Sequence, residues 1–382
     1  MRLILSLASL LLAAAPIAGA NAPIVSLPGG STLAPTGNLA YDANTFSGDS
    51  RFLDEDRTRR TEIGIAFNAN AIDAGISYDV ENRAWLDVHV RVDIGALAGS
   101  DAGRIRAGYF KVPFGLEGLG STRASPFMES SLPTQALFPG RRLGAEWTHA
   151  RQSFQLQGAF FGGNDLEGAN PGTTTALRGL WTPAREAGRV LHLGAAASVE
   201  RPRGDTSAEG VAQAATARLR ARPGAGLTDV RLLDGGAVGG VREIRRAGLE
   251  FLWIHGPLSI QGEALQARIA RADGAPDYEA DGQYVFGSWV LTGEARPYSA
   301  GAVGNVVPTR RWGAVELLAR YSRADLDDGL VEGGRGHDWT LGANWYLGRN
   351  LKFQVNYVDA HASRQGVPSE PDVLELRAQF HF

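Results

Sequence analysis

Arginine supplies almost all of the positive charge of this chain, because its 38 basic residues include lysine only at positions 111 and 352. A guanidinium group keeps its charge at any relevant pH and binds phosphate or carboxylate through paired donors. Many of these arginines alternate with apolar residues, so on an extended strand they would share one face. The pattern therefore indicates a polar face that could bind anions at several places.

Two groups of basic residues are candidates for anion binding. The first lies on the polar faces of alternating segments and consists of Arg91, Arg104, Arg106, Arg218, Arg220, Arg246 and Arg320. The second flanks or belongs to a long irregular loop at about residues 115–140 and consists of Lys111, Arg123, Arg141 and Arg142. A loop of this length in a compact fold is usually functional or disordered, and we expect it to fold into the interior.

Acidic residues share these polar faces and leave a second interpretation open. The acids concerned are Asp87, Asp93, Glu250, Glu316 and Glu375. Paired with arginines across neighbouring strands, they would form a rigid wall of mixed charge without selectivity for anions. Both interpretations fit the sequence.

The sequence holds no recognisable catalytic or metal-binding motif. Its seven histidines stand apart from one another, it has no cysteine, and neither HExxH nor G-x-S-x-G occurs. The net charge of −3 gives no sign of nucleic-acid binding. We therefore expect no enzymatic activity, no cofactor, no metal site and no nucleic-acid partner.

Alternation of apolar and polar residues dominates the chain from Arg59 to its last residue, which is the pattern of half-buried strands. Clear examples are AWLDVHVRVDIGAL, RIRAGYF, RAGLEFLW, WGAVELLARYS, DWTLGANWYL and LKFQVNYV. Weaker ones lie near 141–149, 153–162, 176–182, 190–199, 212–221, 258–269 and 282–293. The count comes to about 16 or 17 strands, depending on whether 60–70 and 72–81 form one strand and whether 227–234 belongs to a loop.

The first residues predict export. Residues 1–22 combine a basic Arg2, an apolar core and small residues at Ala18, Ala20 and Ala22, which are the features of a cleavable signal peptide. Residues 23–58 are rich in Pro, Gly, Ser and Asn, and we expect an extended leader there. The strand-rich domain would then occupy residues 59–382.

A transmembrane antiparallel β-barrel explains the alternation better than a soluble sandwich or a helical membrane protein. After residue 22 no apolar run reaches the roughly 20 residues that a spanning helix needs. Aromatic residues such as Trp339 and Tyr357 stand at the ends of apolar stripes, as in interfacial girdles. Short connections alternate with long ones near the C-terminus, as in barrels that have periplasmic turns and extracellular loops. The predicted fold is all-β, a barrel of about 16 strands with an inward-folded constriction loop.

The last ten residues, VLELRAQFHF, alternate strictly and stop on Phe382. They resemble the terminal strand by which bacterial outer-membrane barrels engage the barrel-assembly machinery. We expect the apolar side of this strand, including Phe380, to face outer-membrane lipids.

Several blocks resemble the phosphate-selective porin O and P family, in order and at suitable spacing. They are RRTEIGIAF, GYFKVPFGLE, VLTGEARPY, WGAVELLARYS and ANWYLGRNLKFQVNYV. The resemblance covers roughly residue 55 to the end. It implies a sixteen-stranded barrel in the outer membrane, assembled as a homotrimer, that draws anions through a narrow, basic constriction.

The resemblance predicts an anion-selective porin for phosphate or other small anions. The family's phosphate channels are associated with lysine-rich vestibules, and this chain has almost no lysine, so pyrophosphate, polyphosphate and small organic anions remain open as solutes. The alternatives are a weakly selective general-diffusion porin for small organic solutes and a non-conducting structural barrel.

Overall fold

The computed structural model of this chain describes residues 24–99, 101–206, 212–272 and 274–382. Its main sheet contains sixteen long strands, numbered here in chain order. They are β1 (Thr32–Ser47), β2 (Glu55–Ala69), β3 (Ile72–Asp79), β4 (Ala84–Asp93), β5 (Arg104–Lys111), β6 (Arg141–Arg151), β7 (Phe154–Gly162), β8 (Gly172–Glu186), β9 (Arg189–Pro202), β10 (Val241–His255), β11 (Leu258–Arg271), β12 (Tyr278–Val290), β13 (Ala314–Asp328), β14 (Val331–Leu347), β15 (Leu351–Arg364) and β16 (Asp372–His381). Two short strands, Val25–Ser26 and Val367–Ser369, each pair with a single neighbour of this sheet.

Each long strand pairs antiparallel with the next, and β16 returns to pair with β1, so the sheet closes into a barrel. The closing register places Asn38 opposite His381 and Ser47 opposite Asp372. Closure leaves no open edge of unpaired main-chain groups, which a membrane would not tolerate. The predicted antiparallel barrel of about 16 strands is confirmed.

The structure decides the strand count that the sequence left open. Segments 60–70 and 72–81 fall on separate strands, β2 and β3, while 227–234 lies in the connection between β9 and β10. The weak strand predicted near 212–221 does not cross the barrel: the described residues there form two-residue strands within the same connection. Its small residues alternate too weakly to distinguish a wall strand from a folded loop.

The first barrel strand lies inside the segment that the sequence suggested was a leader. β1 pairs with β2 over Thr32 to Asn44 and with β16 over Asn38 to Ser47, so the barrel begins at Thr32 rather than at residue 59. Pro35 and Gly37 give this stretch the composition of a loop. A Cβ at Gly37 would stand 2.5 Å from the ring of Phe382, so the ring would have to shift for a larger residue. The predicted signal peptide, residues 1–22, lies outside the described residues.

Most short turns lie at one end of the barrel, and the two longest loops leave from the other end, where the two-residue turn 329–330 also lies. The end that carries Phe382, called here the C-terminal rim, has the short turns 70–71, 152–153, 187–188, 256–257 and 348–350. Two longer connections also lie at this rim. One is 94–103, which contains helix α1 (Ile94–Ala98), and the other is 291–313, called here the inserted turn. The long connections 112–140 and 203–240 leave from the opposite end, called here the loop rim.

The outer surface of the wall is apolar. Large side chains such as Ile63, Leu249 and Leu341 are more than half exposed on it, at 56%, 64% and 56%. Exposure of so many aliphatic groups costs free energy in water and none in hydrocarbon, so this face is the lipid-facing one. Among the described residues, no helix has both the length and the apolar composition needed to span a membrane.

Two long loops fill much of the lumen. The constriction loop, residues 112–140, contains helices α2 (Leu116–Leu119) and α3 (Leu132–Leu137), and the mouth loop comprises the described residues 203–206 and 212–240. Leu132 and Leu137 of α3 are fully buried in one cluster with Leu232 and Leu233 of the mouth loop and Val358 of β15. The lumen thus has its own hydrophobic core, which fixes both loops in place.

Candidate constriction site of the lumen

Polar side chains of β13–β16 hold one edge of the constriction loop through its main-chain oxygens. Each side chain donates to a main-chain oxygen of the loop: Arg320 to that of Glu129 (2.9 Å), Asn344 to that of Pro126 (2.9 Å), Lys352 to those of Arg123 and Ser125 (3.0 Å each), Gln354 to that of Pro126 (3.0 Å), Arg377 to that of Met128 (2.9 Å) and Gln379 to that of Arg123 (3.1 Å). The inward positions of these strands therefore satisfy carbonyl groups that the lumen would otherwise leave buried without partners.

Acceptors on β11 and β13 hold the loop's N–H groups. Glu263 accepts hydrogen bonds from the amides of Leu116 (2.5 Å) and Glu117 (2.8 Å), at the start of α2. The hydroxyl oxygen of Ser322 accepts from the amide of Leu132 at 2.9 Å, at the start of α3. A carboxylate or hydroxyl at a helix N-terminus satisfies amides that have no partner within the helix. The loop is thus fixed from β11 round to β16.

An opening remains on the other side of the lumen, between the constriction loop and the first strands. A cavity of about 290 Å³ lies there and is called here the eyelet. Its polar and charged lining consists of Thr36, Arg60, Glu62, Ser77, Asp87, Lys111 and Arg141 from the wall and its borders, with Ser121, Thr122 and Arg123 from the loop.

The eyelet is positively charged. Its cations are Arg60, Lys111, Arg123 and Arg141, and its carboxylates are Glu62 and Asp87. Lys111 donates to the carbonyl oxygen of Gly120 at 2.6 Å, and no carboxylate of the described residues forms an ion pair with it. A charged group lining a narrow, poorly hydrated passage attracts ions of the opposite sign more strongly than it would in water.

The other eyelet cations have partial partners. Arg141 Nε donates to Asp87 Oδ1 at 2.9 Å, and Arg60 Nη1 lies 3.6 Å from Glu62 Oε1. Arg123 Nη1 donates to the main-chain oxygen of Phe382 at 3.2 Å. Each guanidinium has five N–H groups, so these contacts leave donors for a bound anion.

A paired wall continues from the eyelet towards the C-terminal rim. Arg106 Nη2 donates to Asp87 at 2.8 Å, and its guanidinium lies 4.3 Å from the ring centre of Phe110. Arg91 pairs with Asp73 at 3.3 Å, and Arg104 pairs with Asp93 at 3.0 Å. For Arg91, Arg104 and Arg106 the structure therefore shows the cross-strand ion pairs that the mixed-charge interpretation expected.

Three other candidate anion-binding residues, Arg142, Arg246 and Arg320, lie in the packed interior of the lumen and do not line the eyelet. Arg142 and Arg246 share Glu200, at 3.0 and 2.7 Å. Arg320 is buried, and its guanidinium lies 4.5 Å from the ring centre of Phe127. These arginines hold strands and loop together, because a buried charge requires hydrogen-bonding partners.

The last two candidate anion-binding residues, Arg218 and Arg220, lie on the mouth loop. They belong to a group called here the mouth cluster, which consists of Arg218, Arg220, Arg222 and Arg231 with Asp229 and Asp234. Arg218 Nε donates to Asp234 Oδ1 at 2.8 Å, and Arg222 lies 3.3 Å from Asp229. Burial lowers the pKa of the Arg231 guanidinium, and the charges of Arg222 and Arg220 lower it further. Four cations against two carboxylates make this end of the lumen positive as well.

Sequence reasoning missed two parts of the site. Arg60 and Glu62 of the eyelet alternate with Thr61 and Ile63 in RRTEIGIAF, so the same period-two rule would have found them. Half-buried Glu129, which Arg59 contacts at 3.2 Å, had no such signal because it lies on the irregular loop. Burial alone would raise the pKa of the Glu129 carboxyl, but the charges of Arg59, Arg60 and Arg377 hold it below its usual value.

Comparison with known sequences places these features in a family. A family model described as phosphate-selective porin O and P matches residues 34–382. Porin O of Pseudomonas aeruginosa is 30% identical over 218 residues, which cover 49% of this chain and 48% of porin O. An uncharacterized protein of Caulobacter vibrioides is 27% identical over 359 residues, covering 82% of this chain and 70% of that protein. The chain thus spans about half the length of porin O.

Solved structures with similar folds include a porin, an outer-membrane protein and an outer-membrane channel. The anion-selective porin from Comamonas acidovorans superposes with a TM-score of 0.57 at 11% identity, over 92% of this chain and 100% of that one. OmpT of Vibrio cholerae, in its trimer form, gives 0.57 at 10% identity, over 92% and 99%. DcaP of Acinetobacter baumannii gives 0.57 at 11% identity, over 94% and 99%. At these identities the likeness establishes the fold.

Proposed function

Because this chain belongs to the phosphate-selective porin O and P family, we propose that its lumen is an anion-selective channel and that the eyelet is where selection occurs. The family and the barrel place the protein in the outer membrane as a porin and not as an enzyme. The observation that carries the proposal is the charge of the eyelet, where four cations face two carboxylates and Lys111 has no carboxylate partner among the described residues.

The positive groups form stations in series. An anion entering at the loop rim first meets the mouth cluster, then the eyelet, and then the paired wall of Arg106, Arg91 and Arg104. Several weak sites favour conduction, because a single deep well would retain the ion. In the paired wall each guanidinium lies close to a carboxylate that offsets its charge. The wall therefore attracts the anion only weakly after the eyelet, and the anion is released towards the C-terminal rim.

Small oxyanions fit the eyelet best. Guanidinium and ammonium groups, with the Ser121 hydroxyl, offer many hydrogen-bond donors to a group such as phosphate. Phosphate, the solute in the family's name, is therefore the first probe, and pyrophosphate, polyphosphate and small carboxylates are the next ones.

A weakly selective general-diffusion porin is the second candidate. It is favoured by the ion pairs of Arg91, Arg104, Arg106 and Arg141, each of which has a carboxylate within 3.3 Å. If these pairs cancel the field of the eyelet, size alone would govern passage.

Planar-bilayer recordings separate the two candidates. A salt gradient should give a reversal potential that favours anions, and phosphate added at fixed chloride should block chloride current. Lys111→Met should weaken both effects, because it removes a basic eyelet group that has no carboxylate partner among the described residues. Arg245→Gln, a matched loss of charge on the outer face, should change neither. A wild-type channel with no anion preference in the gradient and no block by phosphate would favour general diffusion.

The remaining sequence expectations stay proposals. We propose that residues 1–22 direct export, that Phe382 contributes to recognition by the barrel-assembly machinery, and that the protein is a homotrimer embedded in outer-membrane lipids. The trimer is supported by the trimeric form of OmpT. Chemical cross-linking in detergent, followed by denaturing electrophoresis, should yield a ladder that ends at three chains.

A further inference from the structure

The main-chain oxygen of Arg123 accepts hydrogen bonds from three side chains. They are Lys352 Nζ at 3.0 Å, Asn305 Nδ2 at 2.8 Å and Gln379 Nε2 at 3.1 Å. A carbonyl oxygen has two lone pairs, so three donors exceed the ordinary number. The donors come from β15, from the inserted turn and from β16, and together they fix the residue whose guanidinium lines the eyelet.

The inserted turn is itself firmly attached inside the lumen. Buried Arg296 pairs with buried Glu316 on β13. The hydroxyl of Tyr298 lies 2.8 Å from Nδ1 of His192 on β9. Tyr298 and Val303 pack against buried apolar residues of α2, β9 and β10. Asn305 follows two residues after Val303 and is therefore held at a defined height against the constriction loop.

Glu294 and Thr309 close the base of the inserted turn. Glu294 Oε1 accepts from the amide of Thr309 at 2.9 Å and from its hydroxyl at 2.7 Å. Burial alone would raise the pKa of Glu294, but hydrogen bonds from Thr292 and Thr309 lower it to about 2. The base therefore stays closed at neutral pH and helps to hold Asn305 in position.

Lys352 is fully buried and is satisfied mainly by this contact. Its ammonium group donates to the carbonyl oxygens of Arg123 and Ser125 and lies 3.4 Å from the amide oxygen of Asn305. No carboxylate of the described residues forms an ion pair with it. The nitrogen thus has three oxygen neighbours. Moving the loop away would leave this buried amino group without hydrogen-bonding partners, which is unfavourable.

We infer that Asn305 and Lys352 are positioning residues for anion selection: they clamp the Arg123 main chain so that its guanidinium stays in the eyelet. The inserted turn thereby determines specificity without lining the eyelet itself. This inference rests on the proposed function, since it assigns a role to a residue of the same eyelet. The inserted turn and the constriction loop enter the lumen from different ends of the barrel: Asn305 enters from the C-terminal rim, whereas the constriction loop enters from the loop rim.

The clamp acts through geometry. With Asn305 or Lys352 removed, the main chain at Arg123 has fewer fixed contacts, and its guanidinium can move away from the anion path. Loss of one hydrogen bond corresponds to roughly a five-fold change in an equilibrium constant. Phosphate affinity at the eyelet should fall by about that factor.

The test measures the phosphate concentration that half-blocks chloride current through the full-length protein. Asn305→Ala should raise it roughly five-fold and lower the anion preference in a salt gradient. Asn305→Gln, which keeps an amide donor, should restore most of the loss. Arg245→Gln, on the outer face, should behave like wild type.

Arg123→Ala separates failure of this inference from failure of the proposed function. If phosphate blocks Asn305→Ala as it blocks the wild type, but blocks Arg123→Ala less well, the clamp is overturned and the anion channel stands. Wild-type block by Arg123→Ala would remove Arg123 from the selective site and the clamp with it. Lys352→Met is the second variant, and weakened block in that protein, with unchanged thermal stability in detergent, supports positioning over a purely structural role.

Discussion

Asp87 is the residue that connects the eyelet to the paired wall. Its two oxygens accept from different arginines, Oδ1 from Arg141 at 2.9 Å and Oδ2 from Arg106 at 2.8 Å. One carboxylate therefore offsets part of the charge of two guanidinium groups. The balance between a selective and an unselective lumen thus depends strongly on this one side chain.

Asp87→Asn should increase anion selectivity. The amide keeps the size of the carboxylate but removes its charge, so Arg141 and Arg106 become available to anions. The reversal potential in a salt gradient should shift towards the anion limit, and phosphate should block at lower concentration.

Asp281→Asn is the control for this substitution, because Asp281 is 55% exposed and pairs with Arg323 away from the eyelet. An anion preference that stays the same or falls in Asp87→Asn would show that Arg106 and Arg141 do not act on the permeating ion.

At the scale of strands, Asp42 and Arg377 join the two ends of the barrel wall. They face each other across the β1–β16 pairing, and the guanidinium binds the carboxylate at 2.7 and 2.6 Å. Arg377 also donates to the carbonyl oxygen of Met128 at 2.9 Å. Both side chains are at most 2% exposed. This single pair therefore links barrel closure to the position of the constriction loop.

Asp42→Ala should destabilise the folded barrel by up to about 3–5 kcal/mol, because the buried Arg377 charge then keeps only Glu129, 3.6 Å away, as a carboxylate partner. Unfolding by denaturant in detergent, followed by the mobility of folded and unfolded forms on a gel, measures the change. The double variant Asp42→Ala with Arg377→Met should recover part of the loss. A double variant less stable than Asp42→Ala alone would contradict the role assigned to the buried Arg377 charge.

At the scale of the whole molecule, the mouth loop crosses the lumen and reaches the opposite wall. Gly224 on this loop has φ of +71°, and a Cβ built there would lie 3.8 Å from the Cβ of Val358 on β15. That separation suits a disulfide, whose Cβ atoms are typically about 3.8 Å apart. The chain has no cysteine of its own, so an engineered pair would be unambiguous.

The double variant Gly224→Cys with Val358→Cys should form a disulfide on mild oxidation, with a modest cost for the positive φ. Faster migration of the unfolded, non-reduced protein on a gel would report the closed link. Conductance should be the same before and after reduction, because the link joins groups that already touch. A mouth loop that stands away from the lumen would give no link, and each single-cysteine variant provides the baseline.

Much of the fold could be predicted from the sequence because lipid and water face opposite sides of each strand. The alternation in AWLDVHVRVDIGAL and WGAVELLARYS gave the wall, and the length of the 115–140 segment indicated an inserted loop. β1 escaped prediction, since Pro35 and Gly37 interrupt its pattern. The mouth loop was mistaken in part for a strand because local alternation carries no information about distant pairing.

For the site, the sequence by itself determined residue type, face and family: arginines on polar faces, Lys111 before the loop, and a porin-like series of blocks. Only the tertiary structure decided which cations have carboxylate partners. Arg106 and Arg141 meet at Asp87, Arg142 and Arg246 meet at Glu200, and Lys111 meets a carbonyl oxygen. Those partners come from separate strands and loops, and their distances depend on barrel register and loop insertion, which no local pattern encodes.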